Sequence, residues 1–306
     1  MTNCEFEEKQ YEVQYIADLV RNHPGGVQLA PVGQAMEAYL GFDLGAMVNA
    51  IHPAWTPTTN PQFPPGVSGK TIASRLPASK QNRIPNYNLN LFLQFKRSDF
   101  LHGHSATHRR SKYFPGPYYR FDIDNRANRS THRSQHQTLI NLEASLGSTA
   151  VVRYAAPLFY SSIVLYANAS LGSVVQNSIH VSPTKIGHGH KQFNYDGVRG
   201  IANPDPDPIT PSVGFEIYSD IIERLTELQY YDLPYTGLES CISAAASSIE
   251  GAVRLAPEMQ SRIENFSVFI AERIGYNQYE LVQNYVTVEA VCSVLGIHWM
   301  LAARSS

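Results

Sequence analysis

The nine residues 88–96, NLNLFLQFK, constrain this chain more than any other stretch. Leu89, Leu91, Leu93 and Phe95 are large and apolar at every second position. The two-residue period of a strand gathers them on one face for burial. Asn90, Phe92, Gln94 and Lys96 then share the opposite face. That second face is expected to look toward solvent or toward a site, because the first already carries the apolar set. Burying an unpaired lysine is costly. Gln94 and Lys96, two apart and on one face, therefore mark either a functional locus or a charge that keeps an edge strand soluble.

The rest of the chain reads as α/β. A helix is expected over 4–22, ended by NHPGG, and a second over PVGQAMEAYLG, with Pro31 in its first turn and Gly41 as its cap. FDLGAMVNAI reads as a short strand, followed by a Pro- and Thr-rich insertion at 52–85. YYRFDID, TAVVRYAAPLFY, SVVQNSIHVSP and HKQFNYD are further strands, and SQHQTLINLEASLG is a helix capped by Gly147. The proline-rich stretch 203–212 is the expected boundary between an α/β domain (1–202) and a helical acidic region (209–306). That region is read as IYSDIIERLTELQYY, SCISAAASSIEGAVRL, MQSRIENFSVFIAERIG and VTVEAVCSVLGIHWMLAA.

Charge is divided along the chain. Residues 70–133 hold 13 Lys/Arg against three acids, and the chain from Asp196 onward holds six Arg against 15 acids, although the whole carries only −2. A basic segment of that size is a footprint of polyanion binding, unless it neutralises the acidic part internally. Tyr113, Phe114, Tyr118 and Tyr119 lie among the cations, where they are expected to stack on bases. No stretch of 18 apolar residues indicates a membrane span. The acidic start MTNCEFEEKQYEV does not read as a secretory signal, and three scattered cysteines point to a reducing, cytoplasmic setting.

Glu37, Asp43, Gln94 and Lys96, in QAMEAYLGFDLGA and LFLQFKR, give the chain a resemblance to the PD-(D/E)xK nuclease superfamily. Its core pattern is a helix acid, a strand Asp, then (D/E/Q)xK on the next strand. SQHQTLINLEASLG and TAVVRYAAP fall where that family places its second core helix and last core strand. The resemblance spans about residues 28–160 and implies a restriction-endonuclease-like mixed sheet flanked by helices. It implies hydrolysis of phosphodiester bonds, DNA favoured, with Mg²⁺ (or Mn²⁺). In it Asp43 is the principal metal ligand, Gln94 supplies an oxygen, Glu37 is an outer or second-metal ligand, and Lys96 orients the attacking water. The family context the resemblance favours is that of nucleases acting against foreign DNA, phage-defence effectors among them. A homodimer suits the cutting of both strands, and the acidic C-terminal helices suit a regulatory protein partner. A non-catalytic binding subunit of a larger complex is the rival expectation.

The cations nearest this motif, Arg97, Arg109, Arg110, Lys112 and Arg120, with His102 and His104, are expected to contact nucleic acid. His102, His104 and His108, with His188 and His190, are also spaced as zinc ligands. Asp122 and Asp124 either bind metal or answer Arg120 and Arg126. VSGKT lacks the first glycine of a phosphate-binding loop, since position 64 is proline.

Overall fold

The computed structural model describes residues 2–21, 27–31, 87–102, 114, 116–198, 200–203 and 237–304. Its strands are β1 (Val27–Pro31), β2 (Tyr87–Phe95), β3 (Asp99–Leu101), β4 (Tyr118–Asp122), β5 (Ala150–Pro157), β6 (Ser178–Val181), β7 (Gln192–Tyr195), β8 (Gly200–Asn203) and β9 (His298–Arg304). Its helices are α1 (Glu8–Arg21), α2 (Gln135–Leu146), α3 (Ser162–Leu171), α4 (Pro183–Ile186), α5 (Leu238–Ala252), α6 (Pro257–Ile274) and α7 (Tyr279–Leu295). The described protein is mixed α/β. One sheet runs β1-β9-β2-β5-β6 and a second, antiparallel one runs β3-β4-β7-β8.

β2 lies at the centre of the larger sheet, antiparallel to β9 and parallel to β5. Parallel neighbours need a long crossover; here it comprises β3, β4 and α2. Leu89, Leu91, Leu93 and Phe95 pack as expected, with Tyr11, Tyr15 and Leu19 of α1 and Leu165 of α3. The rings of Tyr15 and Tyr11 meet Phe95 edge-on at 5.1 and 5.8 Å.

The opposite face departs from expectation. Phe92 joins Leu139 and Leu142 of α2, Ile242 and Ala245 of α5 and Tyr285 of α7 in a second, larger core. Its ring stacks on Trp299 of β9 at 5.9 Å. Asn90 and Gln94 are buried with it. β2 is therefore neither an edge strand nor open on one side, because α2, α5 and α7 cover the face that the sequence left polar. Asn90 serves that covering layer: its Oδ1 accepts from Trp299 Nε1 at 2.9 Å and its Nδ2 donates to the Cys241 carbonyl at 3.0 Å. Asn90→Leu leaves the indole N–H without its acceptor and is expected to cost about 2 kcal/mol in urea denaturation. A loss below about 0.5 kcal/mol would show that the pairing is dispensable.

The C-terminal region is not all helical. The helix expected through HWMLAA stops at Gly296, whose φ of 65° is left-handed. There the Gly296 N–H bonds to the Ser293 carbonyl at 3.2 Å and the Ile297 N–H to that of Cys292 at 2.8 Å, the helix-ending pattern that favours glycine. Residues beyond it form β9, inserted between β1 and β2. A short apolar run such as IHWMLAA fits a buried strand as well as a helix, and periodicity alone does not separate them. Pro31 ends β1 opposite Met300 instead of opening a helix. Beyond Pro31 the second helix, and likewise the strand over 42–51, the insertion at 52–85, the boundary at 203–212 past Asn203 and the helix over 217–231, lie outside the described residues.

α7 also carries Glu289, whose carboxyl burial pushes up to about 7 from its ordinary 4.5. A carboxyl raised in the folded state contributes most to stability below its unfolded pKa, and that contribution is lost as pH rises through 7. Glu289→Gln is expected to unfold at higher urea than the wild type at pH 8, by on the order of 2 kcal/mol, and at nearly the same urea at pH 4. An equal difference at both pH values would contradict the burial account.

Candidate active site at the end of strand β2

Gln94 sits in the last turn of the β2 pleat and Lys96 just beyond it, where its backbone N–H still bonds to Ala155 of β5 at 2.9 Å. The Lys96 Nζ donates to Gln135 Oε1 at 3.0 Å and lies 5.9 Å from the centre of the Tyr154 ring. Burial lowers the pKa of this amine, while the carboxylates of Glu8, Asp124 and Asp122 pull it back up. The amine is thus easier to deprotonate than a surface lysine, yet keeps acids in its field.

Gln94 is 1% exposed. Its Nε2 donates to the Phe95 carbonyl at 3.0 Å, and its buried Oε1 has no hydrogen-bond partner. Leaving a buried amide oxygen unsatisfied costs about 1–3 kcal/mol, so such atoms are rare and call for a reason.

The layer facing Lys96 comes from the start of α2 and from β5. Ser134 caps α2, its Oγ accepting from the Gln137 N–H at 3.1 Å. That cap fixes the first turn, which carries Gln135 and His136. The His136 Nε2 donates to the Gly187 carbonyl at 2.7 Å, which leaves Nδ1 to accept from the Tyr154 hydroxyl at 2.9 Å. Burial lowers the His136 pKa, and His188, His190 and Lys96 add to that effect. A neutral imidazole, an oriented phenol and an amine of reduced pKa therefore meet at one end of the sheet, where β2 also carries the unpartnered amide oxygen of Gln94.

Sequence reasoning placed Gln94 and Lys96 at this locus and missed Gln135, His136, Tyr154 and Glu8. None of the four lies at a diagnostic spacing from Lys96; they arrive from α2, β5 and α1. Glu8 opens α1, and its carboxyl is raised by burial and drawn down by Lys96. Only the QHQ at the start of α2 and the acidic EFEEK leading into α1 offered a hint.

Of the other expected residues, Glu37, Asp43, His104, His108, Arg109, Arg110, Lys112 and Tyr113 lie outside the described residues. Arg97 is half-exposed and pairs with Glu7 at 3.5 Å. His102 is exposed, its ring edge against Phe100 at 5.0 Å. Arg120 pairs with Asp99 across β3 and β4 at 3.6 Å, not with Asp122. Asp122 accepts from Gln192 at 2.9 Å, and Asp124 binds Arg126 at 3.2 Å. Phe114 and Tyr118 do not offer rings to bases: they stack on each other at 4.7 Å and form a small core with Leu101 and Ile201. Tyr119 is partly buried and stacks on Tyr195 at 5.6 Å.

As a place for a metal ion, the described part of the site is incomplete. The unpartnered Gln94 Oε1 fits an oxygen ligand, since magnesium favours hard oxygens and takes few from protein. On the side away from β5, β2 pairs with β9, whose sequence HWMLAAR has no carboxylate. Among the described residues no group of three or more His, Cys, Asp or Glu stands ready to hold a metal. No described helix is long and apolar enough to cross a membrane. Comparison with protein-family models, with curated proteins and with solved structures finds no match, so the functional reading rests on the geometry around Lys96.

Proposed function

We propose that the chain is a metal-dependent nuclease with a restriction-endonuclease-like core, acting on DNA in defence against foreign genomes. One observation carries this reading: a buried glutamine oxygen without a partner and a partly buried amine belong to residues two apart, Gln94 and Lys96, at the end of a central strand. The order β2, α2, β5, with β2 and β5 parallel, supports it. In this reading Gln94 holds Mg²⁺ or Mn²⁺ together with Glu37 and Asp43, and the ion supplies Lewis acidity and a more acidic bound water. Lys96 orients the attacking water and offsets charge developing on the scissile phosphate. The basic stretch 70–133 neutralises neighbouring phosphates, with Arg97, Arg120 and His102 toward the backbone. The thiols of Cys4, Cys241 and Cys292 are free, which suits a cytoplasmic protein. A homodimer and a regulatory partner for the acidic helices belong to the same proposal.

A second reading is a non-catalytic subunit that binds nucleic acid or a protein partner. The absence of a carboxylate on β9, beside β2, favours it. Supercoiled and linear DNA, incubated with the intact chain in Mg²⁺, Mn²⁺ or EDTA, separates the two. Cutting in metal and not in EDTA is expected. Binding without cutting in either metal would leave the second reading standing, and neither binding nor cutting would overturn the nuclease reading and the binding of DNA alike.

A further inference from the structure

We infer that the outward face of α3 is an interface for a second copy of this chain, the two α3 helices packing antiparallel about a twofold axis at Ala167. The inference rests on the homodimer of the proposed function and gives it a surface. A surface helix ordinarily turns its apolar stripe to the core and its charges to water. α3, SIVLYANASL, does the reverse. It sends Leu165, with Ala169 beside it, into the core shared with α1 and β2. Ile163, Tyr166 and Leu171 are left 81%, 50% and 79% exposed. Helical spacings of three, four and eight set Tyr166, Ala167 and Leu171 on the same side as Ile163. The polar side chains of the helix bond within the chain. Ser162 Oγ donates to the Glu5 carbonyl at 3.0 Å and Ser170 Oγ to the Tyr166 carbonyl at 2.6 Å, while Asn168 Oδ1 accepts from Ser173 and Asn177, each at 3.3 Å.

Two features select a second copy as the occupant. First, none of the 31 residues between Arg153 and Lys185 is Asp, Glu, Lys or Arg. A twofold contact sets a patch against itself, so a charge near the axis meets its own sign. A patch without charge is self-complementary, and it offers neither a charged protein nor anionic lipid headgroups an opposite charge. Second, the order of sizes is symmetric. Ile163 and Leu171 each lie four residues from Ala167. An antiparallel mate therefore places the partner's Leu171 over Ile163 and the partner's Ile163 over Leu171. Ala167, the smallest of the three, falls on the axis, where the backbones come closest. Gln10 of α1 donates to the Tyr166 hydroxyl at 3.5 Å, and one turn further along α1 the exposed Val13 widens the face.

Sedimentation equilibrium of the intact chain tests this without DNA. The face is small beside a standard interface, so a dimer dissociating in the micromolar range is expected. Ile163→Lys and Leu171→Glu each set an unpaired charge in the apolar contact. Each is expected to weaken the dimer by about 10²-fold or more, with the thermal unfolding of the monomer unchanged. Mixed in equal amounts, the two variants are expected to dimerise again, because the antiparallel register brings the substituted positions together. Ile163→Lys mixed with Ile163→Glu is expected to stay monomeric, since those positions then lie about 12 Å apart along the helix. A wild type that is monomeric throughout the micromolar range would overturn the inference; if Ile163→Lys then unfolds at a lower temperature, the face is covered by its own chain. Dimers that both single variants keep, rescue by the second mixture instead of the first, or flotation of the wild type as a monomer with phosphatidylcholine vesicles would also overturn it. A dimer that never cuts DNA keeps this interface and sinks the nuclease reading, whereas a monomer that cuts does the opposite, so the two failures are distinguishable.

Discussion

Replacing Glu143 by alanine is expected to lower the free energy of unfolding by about 3–5 kcal/mol, the range for removing one partner of a buried ion pair. The Glu143 Oε1 takes Arg153 Nη1 at 2.6 Å, and the two side chains are 16% and 2% exposed. Its Oε2 accepts from the Ser182 and Thr184 hydroxyls, each at 2.7 Å, and from the Thr184 N–H at 2.9 Å. One carboxylate therefore joins α2 to β5 and to the start of α4. Without it the guanidinium stays buried in the central sheet and loses the Glu143 carboxylate, with the Val152 carbonyl at 2.7 Å among the partners it keeps. The double variant Glu143→Leu with Arg153→Met removes both charges and is expected to recover part of the loss. Urea denaturation of the three proteins checks this. A loss under about 1 kcal/mol for Glu143→Ala would show that the pair behaves like an exposed one.

Lys96→Met is expected to slow DNA cleavage by about 10²-fold or more, the scale set by removing one group that stabilises transition-state charge. Methionine keeps the aliphatic stem beside Tyr154 and removes only the charge. Burial already opposes that charge, so the variant is expected to fold with its stability little changed. DNA affinity is expected to stay within about threefold, because Lys96 is one of 13 cations between residues 70 and 133 and each phosphate contact contributes a modest share. A fall in binding matching the fall in rate would make Lys96 a phosphate contact and not part of the reacting centre.

Local pattern was legible wherever one period dominated. The alternation in NLNLFLQFK set β2 and its apolar face, and SQHQTLINLEASLG set α2 between its Ser134 cap and Gly147. What escaped was long-range. That β2 is central, and that Phe92 and Gln94 are buried, depends on helices more than 140 residues later in the chain covering that face. The switch from helix to strand at Gly296 rests on one left-handed glycine followed by a run that suits either structure. At the site, Gln94 and Lys96 were visible because a strand's period joins them. Gln135, His136, Tyr154 and Glu8 were not, because three separate elements bring them there. Tyr118 and Phe114 misled in the other direction: aromatic rings among cations read as a base platform, yet the second sheet uses them as core.

The most direct test of the account is nicking of supercoiled plasmid by wild type and Lys96→Met, side by side in Mg²⁺ with an EDTA control. The account predicts nicking by the wild type in Mg²⁺ alone and its loss by about 10²-fold in a variant that still folds and binds DNA. Equal nicking by both proteins, or wild-type nicking that persists in EDTA, would contradict it.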